Sequence, residues 1–249
     1  MGNVLKIKRL GSILKIEINR PKKMNAINQE VLSGLKRIKE NIDNDEQIKV
    51  IVISSTGNKA FSAGADLNEV KDNSPIIQLD HDEASYIVSE IKKPVIAMIK
   101  GYALGGGCEL ALACDIRICS ENSIFGFPEI KMGWIPGGGG TQFLPRIVGE
   151  GKAMELLLTG KFINSIEAKE IGLINHVFSL DEIEKKTLEL AEEIAKKNII
   201  CLMFIKDAIK KATQLNINAG LSYEKKLNSL CFSIEESHKN IERFINRHH

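Results

Sequence analysis

The sequence has little that would place it in a membrane or in an oxidising compartment. No apolar run approaches the roughly 20 residues that a membrane-spanning helix needs. The N-terminal stretch MGNVLKIKRL lacks the apolar core of a secretory signal. The five cysteines are odd in number and include no CxxC pair, which argues against a disulfide framework and a structural metal site. We therefore expect reduced thiols, no bound metal and a cytoplasmic location.

The chain also lacks a strong excess of either charge. Among 249 residues, 34 are Lys or Arg and 32 are Asp or Glu, so the net charge is only +2. This balance does not indicate a nucleic-acid partner, although it is compatible with an anionic small ligand. Apolar residues make up 43% of the chain, which is enough for a substantial globular core.

Several common catalytic signatures are missing. The run GYALGGG does not fit the G-x-G-x-x-G dinucleotide fingerprint, and no GKS or GKT follows a glycine-rich turn. The chain has no GxSxG serine elbow and no evident cysteine–histidine pair. These absences disfavour dinucleotide binding, a Walker phosphate loop and acyl transfer through a covalent intermediate.

The first half of the chain predicts short strands that alternate with helices. β-Branched runs predict strands, and apolar residues near a period of 3.6 predict a helix that Asn28 caps. The predicted strands are 5–9, 13–19, 49–54, 94–100 and 115–119. Further helices are predicted from the turn FSAGADL to about residue 91, and from GYALGGG to about residue 113.

The second half is predicted to be mostly helical after a glycine-rich loop, FPEIKMGWIPGGGGTQ. Helices are predicted at 141–147, 152–158, 165–171, 180–197, 202–214 and 221–247, and a last strand at 174–178. We expect a catalytic core over 1–195 and a helical region over 196–249. The last predicted helix carries an apolar stripe that packs either on its own core or on a neighbouring subunit: Leu227, Leu230, Cys231, Ile234, Ile241 and Ile245.

Two glycine-rich turns each follow a predicted buried strand. In the turn Ser62–Asp66, small residues allow a ligand to approach backbone amides, although a plain turn with Asp66 as a helix cap is the alternative. Gly105, Gly106 and Gly107 open a helix, where unpaired amides favour negative charge. Tight packing of that helix on its strand is the alternative. Together the two turns could supply two amides to one oxygen.

Two glutamates stand in apolar surroundings. Glu109 lies in ELALAC at the start of a predicted helix, and Glu129 follows Pro128 in FGFPEIKMG. Either could be a solvated surface acid. Partial burial would instead raise the pKa of each carboxyl toward neutrality, as an acid/base group needs.

Five collinear segments carry a resemblance to a known family: NRPKKMNAIN (19–28), KAFSAGADL (59–67), KKPVIAMIKGYALGGGCELALACD (92–115), FGFPEIKMGWIPGGGGTQ (125–142) and LLTGKFINSIEAKEIGLINHV (157–177). The chain resembles the enoyl-CoA hydratase (crotonase) family over nearly its whole length. The resemblance implies an α/β fold, a spiral of ββα units with a helical C-terminal trimerisation region. It also implies a homotrimer or a hexamer built as a dimer of trimers.

The resemblance implies a site for an acyl thioester of coenzyme A. The thioester oxygen would be held by the amides of Ala65 and Gly106. The CoA portion would contact Ala26, Ala63, Gly64, Asp66 and Leu67. Phe244 and Arg247 sit where the family places residues that reach the CoA of a neighbouring site, with an ordinary helix end as the alternative; Lys22 or Lys23 would touch CoA phosphate.

The paired glutamates favour a hydratase within this family. Glu109 would activate water for addition at C3 of a trans-2-enoyl-CoA, and Glu129 would deliver a proton to C2, in a reversible syn-type addition. No cofactor is expected, because coenzyme A is part of the substrate. An enoyl-CoA isomerase, which needs one base, and an RNA-binding relative remain alternatives.

Two features concern specificity. Acyl-chain length is expected to depend on residues 71–90 and 132–135, and the pathway, fatty-acid β-oxidation among others, is left open. Phe143 stands where many members of the family have arginine.

Overall fold

The computed structural model describes residues 4–70 and 83–246, in which ten strands form two sheets. The larger sheet has the order β1-β2-β3-β5-β7-β10. Its strands are β1 Leu5–Leu10, β2 Ile13–Ile18, β3 Val50–Ser55, β5 Val95–Ile99, β7 Ile116–Ser120 and β10 His176–Phe178. The first two form an antiparallel hairpin, and the remaining pairs are parallel. All six strands were predicted, with bounds that differ by one or two residues.

The smaller sheet was not predicted from sequence. It has the order β4-β6-β8-β9, with strands Ala60–Ser62, Tyr102–Leu104, Ile124–Gly126 and Phe162–Asn164. Each strand has three residues, too few for a period of two to be visible in the sequence. The first three are mutually parallel, and β9 runs antiparallel to β8.

The chain visits the two sheets in turn and then forms a helix. β3 and β4 precede α2 (Leu67–Val70) and α3 (Ala84–Ser89), and β5 and β6 precede α4 (Gly106–Ala113). β7 and β8 precede a 3-10 helix, Pro128–Met132, inside the segment that was predicted to be a loop. This repetition confirms the predicted spiral of ββα units. The predicted helix up to residue 91 is described only at its two ends, since residues 71–82 lie outside the described part.

Helix α1 (Gln29–Ile42) confirms the helix that was predicted from the apolar period. The Asn28 side chain accepts a hydrogen bond from the Val31 amide at 3.2 Å, which caps the helix as predicted. Five apolar residues at this helical spacing are all buried: Val31, Leu32, Leu35, Ile38 and Ile42. They join the main core beneath the larger sheet.

The central strands β3 and β5 of the larger sheet are buried on both faces because helices cover both of them. Ile51 and Ile53 of β3 belong to the main core, together with residues of α1, α3 and α4. Val50 and Val52, which alternate with them, pack in a second cluster with Ile183 of α8 (Ile183–Ala195). The fully apolar run of β3 therefore reflects two cores rather than one.

Three shorter helices and three long ones complete the chain. The shorter helices are α5 Gly140–Val148, α6 Glu150–Thr159 and α7 Ser165–Glu170; the C-terminal ones are α9 Ile199–Ala212, α10 Ile217–Phe232 and α11 Glu235–Asn246. The single helix predicted over 221–247 was wrong, because the chain turns at Ser233 and Ile234 between two helices. The apolar stripe is therefore divided between α10 and α11. The boundary at residues 195 and 196 stays a prediction.

The largely buried side chain of Lys206 attaches α9 to the core. Lys206 Nζ lies 2.6 Å from Asp115 Oδ2 and also donates to the Lys93 carbonyl at 2.9 Å. Among the residues with described structure, no helix combines the length and the apolar character that spanning a membrane requires.

Candidate active site

Three turns that follow the parallel strands of the smaller sheet form the candidate site. β4 leads into Ala63–Ala65, β6 leads into Gly105 and Gly106, and β8 leads into the 3-10 helix that carries Glu129. Because parallel strands end at the same edge of a sheet, the three turns lie side by side. The sheet that sequence reasoning missed is therefore the scaffold that brings Ala65, Gly106, Glu109 and Glu129 together.

The first turn is fixed to the segment that precedes α1. Ile27 donates to the Gly64 carbonyl at 2.8 Å, and the Asp66 amide donates to the Ile27 carbonyl at 2.8 Å. The Ala65 amide lies between these two bonds and donates to no acceptor in the described residues. A backbone donor without a partner at a fixed turn can bind a ligand oxygen.

The second turn places another amide beside the first. Gly105 has φ +52°, which favours glycine, and its amide donates to the Gly126 carbonyl at 2.9 Å. Gly106 begins α4, and its amide has no acceptor within the described ranges. A Cβ atom added to Gly106 would lie 3.6 Å from the Ala65 nitrogen. The two amides are thus close enough to serve one oxygen atom.

Gly107 explains the third glycine of the run. A Cβ atom there would lie 2.3 Å from the Ser62 carbonyl oxygen of β4. Only glycine lets α4 approach the end of β4 this closely. The sequence left two explanations of the glycine run as alternatives, and both hold. The run lets the helix pack closely on its strand, and it presents a backbone amide.

Glu109 is buried in the first turn of α4. Its side-chain Oε1 accepts a hydrogen bond from the Gly140 amide at 2.8 Å, and the residue is 3% exposed. Burial raises the pKa of Glu109 to about 7, with the hydrogen bond from Gly140 opposing the rise and the charge of Glu129 adding to it. The carboxyl therefore changes protonation state near neutral pH.

Residues Gly137–Gly140, the glycine loop, enclose the Glu109 carboxyl. A Cβ atom at Gly138 would lie 2.5 Å from Glu109 Oε2, so a side chain at this position would displace the carboxyl. Gly140 begins α5, whose N-terminal amides favour an anion. Sequence reasoning treated these glycines only as a loop; the uninterrupted GGGG run was the signal for a close backbone approach.

Glu129 is held by the 3-10 helix next to the second turn. The residue is 8% exposed, and its Oε2 has no hydrogen-bond partner in the described part of the chain. A Cβ atom at Gly105 would lie 2.8 Å from the Glu129 Oε1 atom. Burial raises the pKa of this carboxyl as well. A buried carboxyl oxygen without a partner is costly unless a ligand or a proton satisfies it.

The segment Ala63–Leu67 alternates between the interior and the surface. Gly64 and Asp66 are buried, whereas Ala63, Ala65 and Leu67 are exposed. The exposed residues form an accessible edge next to the two amides, where an extended ligand can lie.

Asp66 is occupied within the chain. Its Oδ2 accepts from Arg20 Nη2 at 2.8 Å, and that hydrogen bond holds the pKa of Asp66 below its usual range. Asp66 Oδ1 also accepts from the Asn68 amide at 3.3 Å, a local bond of the kind a helix cap makes. Arg20 also donates to the carbonyl of buried Ala26 at 2.6 Å. Sequence reasoning missed Arg20, although it lies in the NRPKK segment. Its side chain joins the two segments that border the site, the one that holds Ala26 and the one that holds Asp66.

Phe244 and Arg247 were predicted to reach the CoA of a neighbouring site, which a single chain does not contain. Phe244 lies on α11, which packs on α10, and its side chain is 67% exposed. Arg247 lies outside the described residues, as do positions 71–82 of the predicted specificity segment. Phe143 packs partly buried against the main core near Gly139.

Comparison with known proteins agrees with the predicted family. The family model described as enoyl-CoA hydratase/isomerase matches residues 8–249. A short-chain enoyl-CoA hydratase of Clostridium acetobutylicum is 36% identical over 99% of this chain and 96% of its own length. A crotonyl-CoA hydratase of Syntrophomonas wolfei is 36% identical over 92% of this chain and 90% of its own length.

Solved structures show the same architecture. An enoyl-CoA hydratase from Bacillus anthracis superposes with a TM-score of 0.93 at 35% identity, covering 98% of this chain and 96% of that one. An enoyl-CoA hydratase subunit from Geobacillus kaustophilus gives a TM-score of 0.94 at 34% identity, covering 98% and 95% of the two chains.

Proposed function

The chain belongs to the enoyl-CoA hydratase/isomerase family, and we propose that it is a hydro-lyase that adds water reversibly to a trans-2-enoyl-CoA. The product is a 3-hydroxyacyl-CoA, so the reverse reaction is a dehydration. The observation that carries the proposal is the pair of buried carboxyls, Glu109 and Glu129, beside the two backbone amides of Ala65 and Gly106.

The two amides stabilise the charge that develops during addition. Water attack at C3 of the conjugated thioester moves negative charge onto the thioester oxygen as an enolate. Fixed donors at Ala65 and Gly106 stabilise that charge more strongly than they stabilise the neutral carbonyl. This difference lowers the barrier, and the positions of the donors do not need to change during the reaction.

The two carboxyls manage the protons. Glu109, with a pKa of about 7, is partly ionised at neutral pH and can accept a proton from the attacking water. Glu129, whose pKa is also raised by burial, can hold a proton and deliver it to C2. The carboxyls interact electrostatically, so their titrations are coupled and the pair acts as a unit. The hydroxyl at C3 and the proton at C2 are both added from the same, carboxyl-lined side of the substrate, which is syn addition.

The remainder of the substrate supplies binding rather than chemistry. The proposal places the CoA portion along Ala63, Ala65 and Leu67, with Ala26, Gly64 and Asp66 shaping that edge from within. Coenzyme A is part of the substrate, so no separate cofactor is required. Phe244 and Arg247 would contribute only from a neighbouring subunit.

The proposal includes a homotrimer, or a hexamer made of two trimers. It is supported by the C-terminal helices, since α9 and α10 have no fully buried residue in the chain by itself. Ile205, Ile209 and Ile217 are 58%, 66% and 74% exposed. Apolar exposure of this extent is typical of a subunit interface. A cytoplasmic location and a role in fatty-acid β-oxidation are part of the same proposal.

The test is hydration of crotonyl-CoA, chosen because the names of two relatives specify short-chain and crotonyl substrates. We expect loss of absorbance at the conjugated-thioester band and formation of 3-hydroxybutyryl-CoA. Longer 2-enoyl-CoA substrates follow in the same assay, and failure with every chain length would overturn the proposal. Product chromatography after incubation with a 3-enoyl-CoA detects the isomerase alternative, and salt-sensitive retention of RNA in a gel shift would support the RNA-binding one.

A further inference from the structure

Helix α3 contacts the glycine loop through two consecutive side chains. The buried Ser85 hydroxyl donates to the Gly138 carbonyl at 2.5 Å, and the Tyr86 hydroxyl donates to the Gly137 carbonyl at 2.7 Å. The Ser85 residue is 2% exposed, whereas Tyr86 is 46% exposed. The bond from Ser85 is therefore shielded from competition by water, and it is the stronger constraint on the loop.

The other side of the same loop controls the surroundings of Glu109. The Gly140 amide donates to Glu109 Oε1 at 2.8 Å, only two residues from the Gly138 carbonyl that Ser85 holds. A Cβ atom at Gly138 would lie 3.1 Å from the Ser85 hydroxyl and 2.5 Å from Glu109 Oε2. The serine, the backbone at Gly138 and the carboxyl are thus packed against one another in sequence.

We propose that Ser85 is a positioning residue for the hydration reaction, which holds the glycine loop so that the Gly140 amide stays on the Glu109 carboxyl. This inference rests on the proposed function. Ser85 acts through the loop backbone, whose Gly140 amide donates to the Glu109 carboxyl.

The loop amide also sets the proton affinity of Glu109. Burial raises the pKa of Glu109, and the Gly140 hydrogen bond opposes that rise. Weakening this bond therefore raises the pKa above about 7. The titratable groups that interact with Glu109 are Glu129 on the 3-10 helix, Glu83 and Tyr86 at α3, and Cys108 on α4 itself. None of these groups is altered when the Ser85 hydroxyl is removed.

The experiment compares Ser85→Ala with Ser89→Ala, a matched control on the same helix. The Ser89 hydroxyl donates to the Tyr86 carbonyl within α3 at 2.8 Å and makes no bond to the glycine loop. For Ser85→Ala we expect kcat to fall roughly tenfold, with little change in KM, because a misplaced acid/base group slows the chemical step. The acidic limb of the pH profile should move to higher pH, since Glu109 must lose its proton to act as a base.

A second readout does not require turnover. Carbon-13 NMR of labelled glutamate carboxyls follows the titration of Glu109, whose signal is assigned by its absence in Glu109→Gln. We expect the Glu109 midpoint to rise in Ser85→Ala and to stay at the wild-type value in Ser89→Ala. Equal midpoints and equal kcat values in wild type and Ser85→Ala would overturn the inference. Absence of hydration by the wild type would instead count against the proposed function, while the titration would still test the role of Ser85.

A separate observation concerns two cysteines in the C-terminal helices. The Sγ atoms of Cys201 on α9 and Cys231 on α10 are 3.6 Å apart, and both residues are half-buried. Cys108, Cys114 and Cys119 are instead fully buried in the core. The accessible thiols are thus the ones that lie together, at the open end of the helix pair α9–α10.

We infer that Cys201 and Cys231 form a disulfide on reaction with a small disulfide such as oxidised glutathione. One thiolate attacks a glutathione sulfur and releases one glutathione. The other thiolate attacks the mixed disulfide, forms the Cys201–Cys231 bond and releases the second glutathione. Two electrons pass from the cysteine pair to the glutathione disulfide, which leaves as two thiols.

Mass spectrometry of the intact chain tests this pairing after treatment with oxidised glutathione, followed by denaturation and alkylation of the remaining thiols. We expect the wild type to lose two hydrogens, retain three alkylated cysteines and yield a crosslinked peptide that contains both residues. In Cys201→Ser, Cys231 should retain one glutathione, because no second thiol displaces it. A wild-type chain that stays fully reduced, or that carries stable glutathione adducts without a crosslink, would contradict the inference.

Discussion

The edge of the smaller sheet and the C-terminal helices depart from the usual pattern of burial in opposite ways. The first buries carboxyl groups, and the second exposes large apolar side chains. At the sheet edge, the carboxyls of Glu109 and Glu129 are buried, and one oxygen lacks a partner in the described chain. On α9 and α10, large apolar residues such as Ile209 and Ile217 are exposed. Each region costs stability in the single chain. In this account a substrate completes the first region, and a second subunit completes the second.

The largest expected effect follows from removal of one acid at the sheet edge. Glu129→Gln should lower kcat by roughly 10²–10⁴-fold, as expected for lost general acid–base catalysis. Binding of a CoA ligand should survive, because the amides of Ala65 and Gly106 are unchanged. Steady-state kinetics and calorimetric binding of a CoA thioester measure the two quantities. Near-normal turnover would remove Glu129 from the mechanism.

A smaller effect is expected when the carboxyl of Glu109 is displaced rather than removed. In Gly138→Ala the added methyl group would lie 2.5 Å from Glu109 Oε2, so we expect kcat to fall roughly 10²-fold. Gly137→Ala is the matched control, because a Cβ atom there has no heavy atom within 4 Å among the described residues. Parallel kinetic assays separate the two variants, and similar losses in both would show that loop flexibility matters instead of the carboxyl position.

The cost of the buried acid can be measured as stability. Glu109 has a pKa of about 7 against an ordinary value of 4.5, so the folded state binds this proton more tightly than the unfolded chain. The cost of burying the carboxylate is therefore fully present above about pH 7, shrinks as the pH falls and vanishes below about 4.5. Glu109→Gln should stabilise the protein by about 3 kcal/mol at most in alkaline buffer.

Chemical denaturation of this variant and of the wild type, at about pH 8 and about pH 5, tests the direction of this change in stability. We expect the stabilisation to be larger at the higher pH. A variant that is less stable than the wild type at both pH values would show that Glu109 stabilises the fold. The buried acid would then not carry the stability cost that the comparison of the two regions assumes.

The smallest expected effect concerns the opposite region. Ile209→Lys places a charge on the exposed face of α9 and should weaken subunit association roughly tenfold or more, because one buried isoleucine contributes about 2 kcal/mol. Sedimentation equilibrium measures this shift, with Lys211→Ala on the same helix as the control for a change of charge. Unchanged association would show that this face of α9 does not belong to the subunit interface.

The sequence predicted the larger sheet well because five of its six strands have five or six residues and most of them are rich in Val and Ile. It did not predict the three-residue strands of the smaller sheet, since β4, β6 and β8 contain too few residues to display a period. It also treated Gly137–Gly140 as a plain loop, because a close approach to Glu109 depends on residues distant in sequence. The turn at Ser233 and Ile234 lacks both glycine and proline, which explains why one helix was predicted there instead of two.

The chemistry-bearing residues were easier to identify than the scaffold that unites them. Glu109 and Glu129 stood out because a carboxylate among apolar neighbours is unusual in any fold. Ser85 and Arg20 gave no such signal, because a serine or an arginine in a short polar segment is ordinary. Their contacts with Gly138 and Asp66 became visible only in three dimensions.

The central claim is that Glu109 and Glu129 deliver both elements of water to one side of a substrate held by the amides of Ala65 and Gly106. Hydration of crotonyl-CoA in D₂O, followed by proton NMR of the product, tests it directly. The account predicts a single deuterium at C2, on the same side as the new hydroxyl at C3. Deuterium on both sides or on the opposite side of C2, or the absence of a 3-hydroxyacyl product, would contradict it.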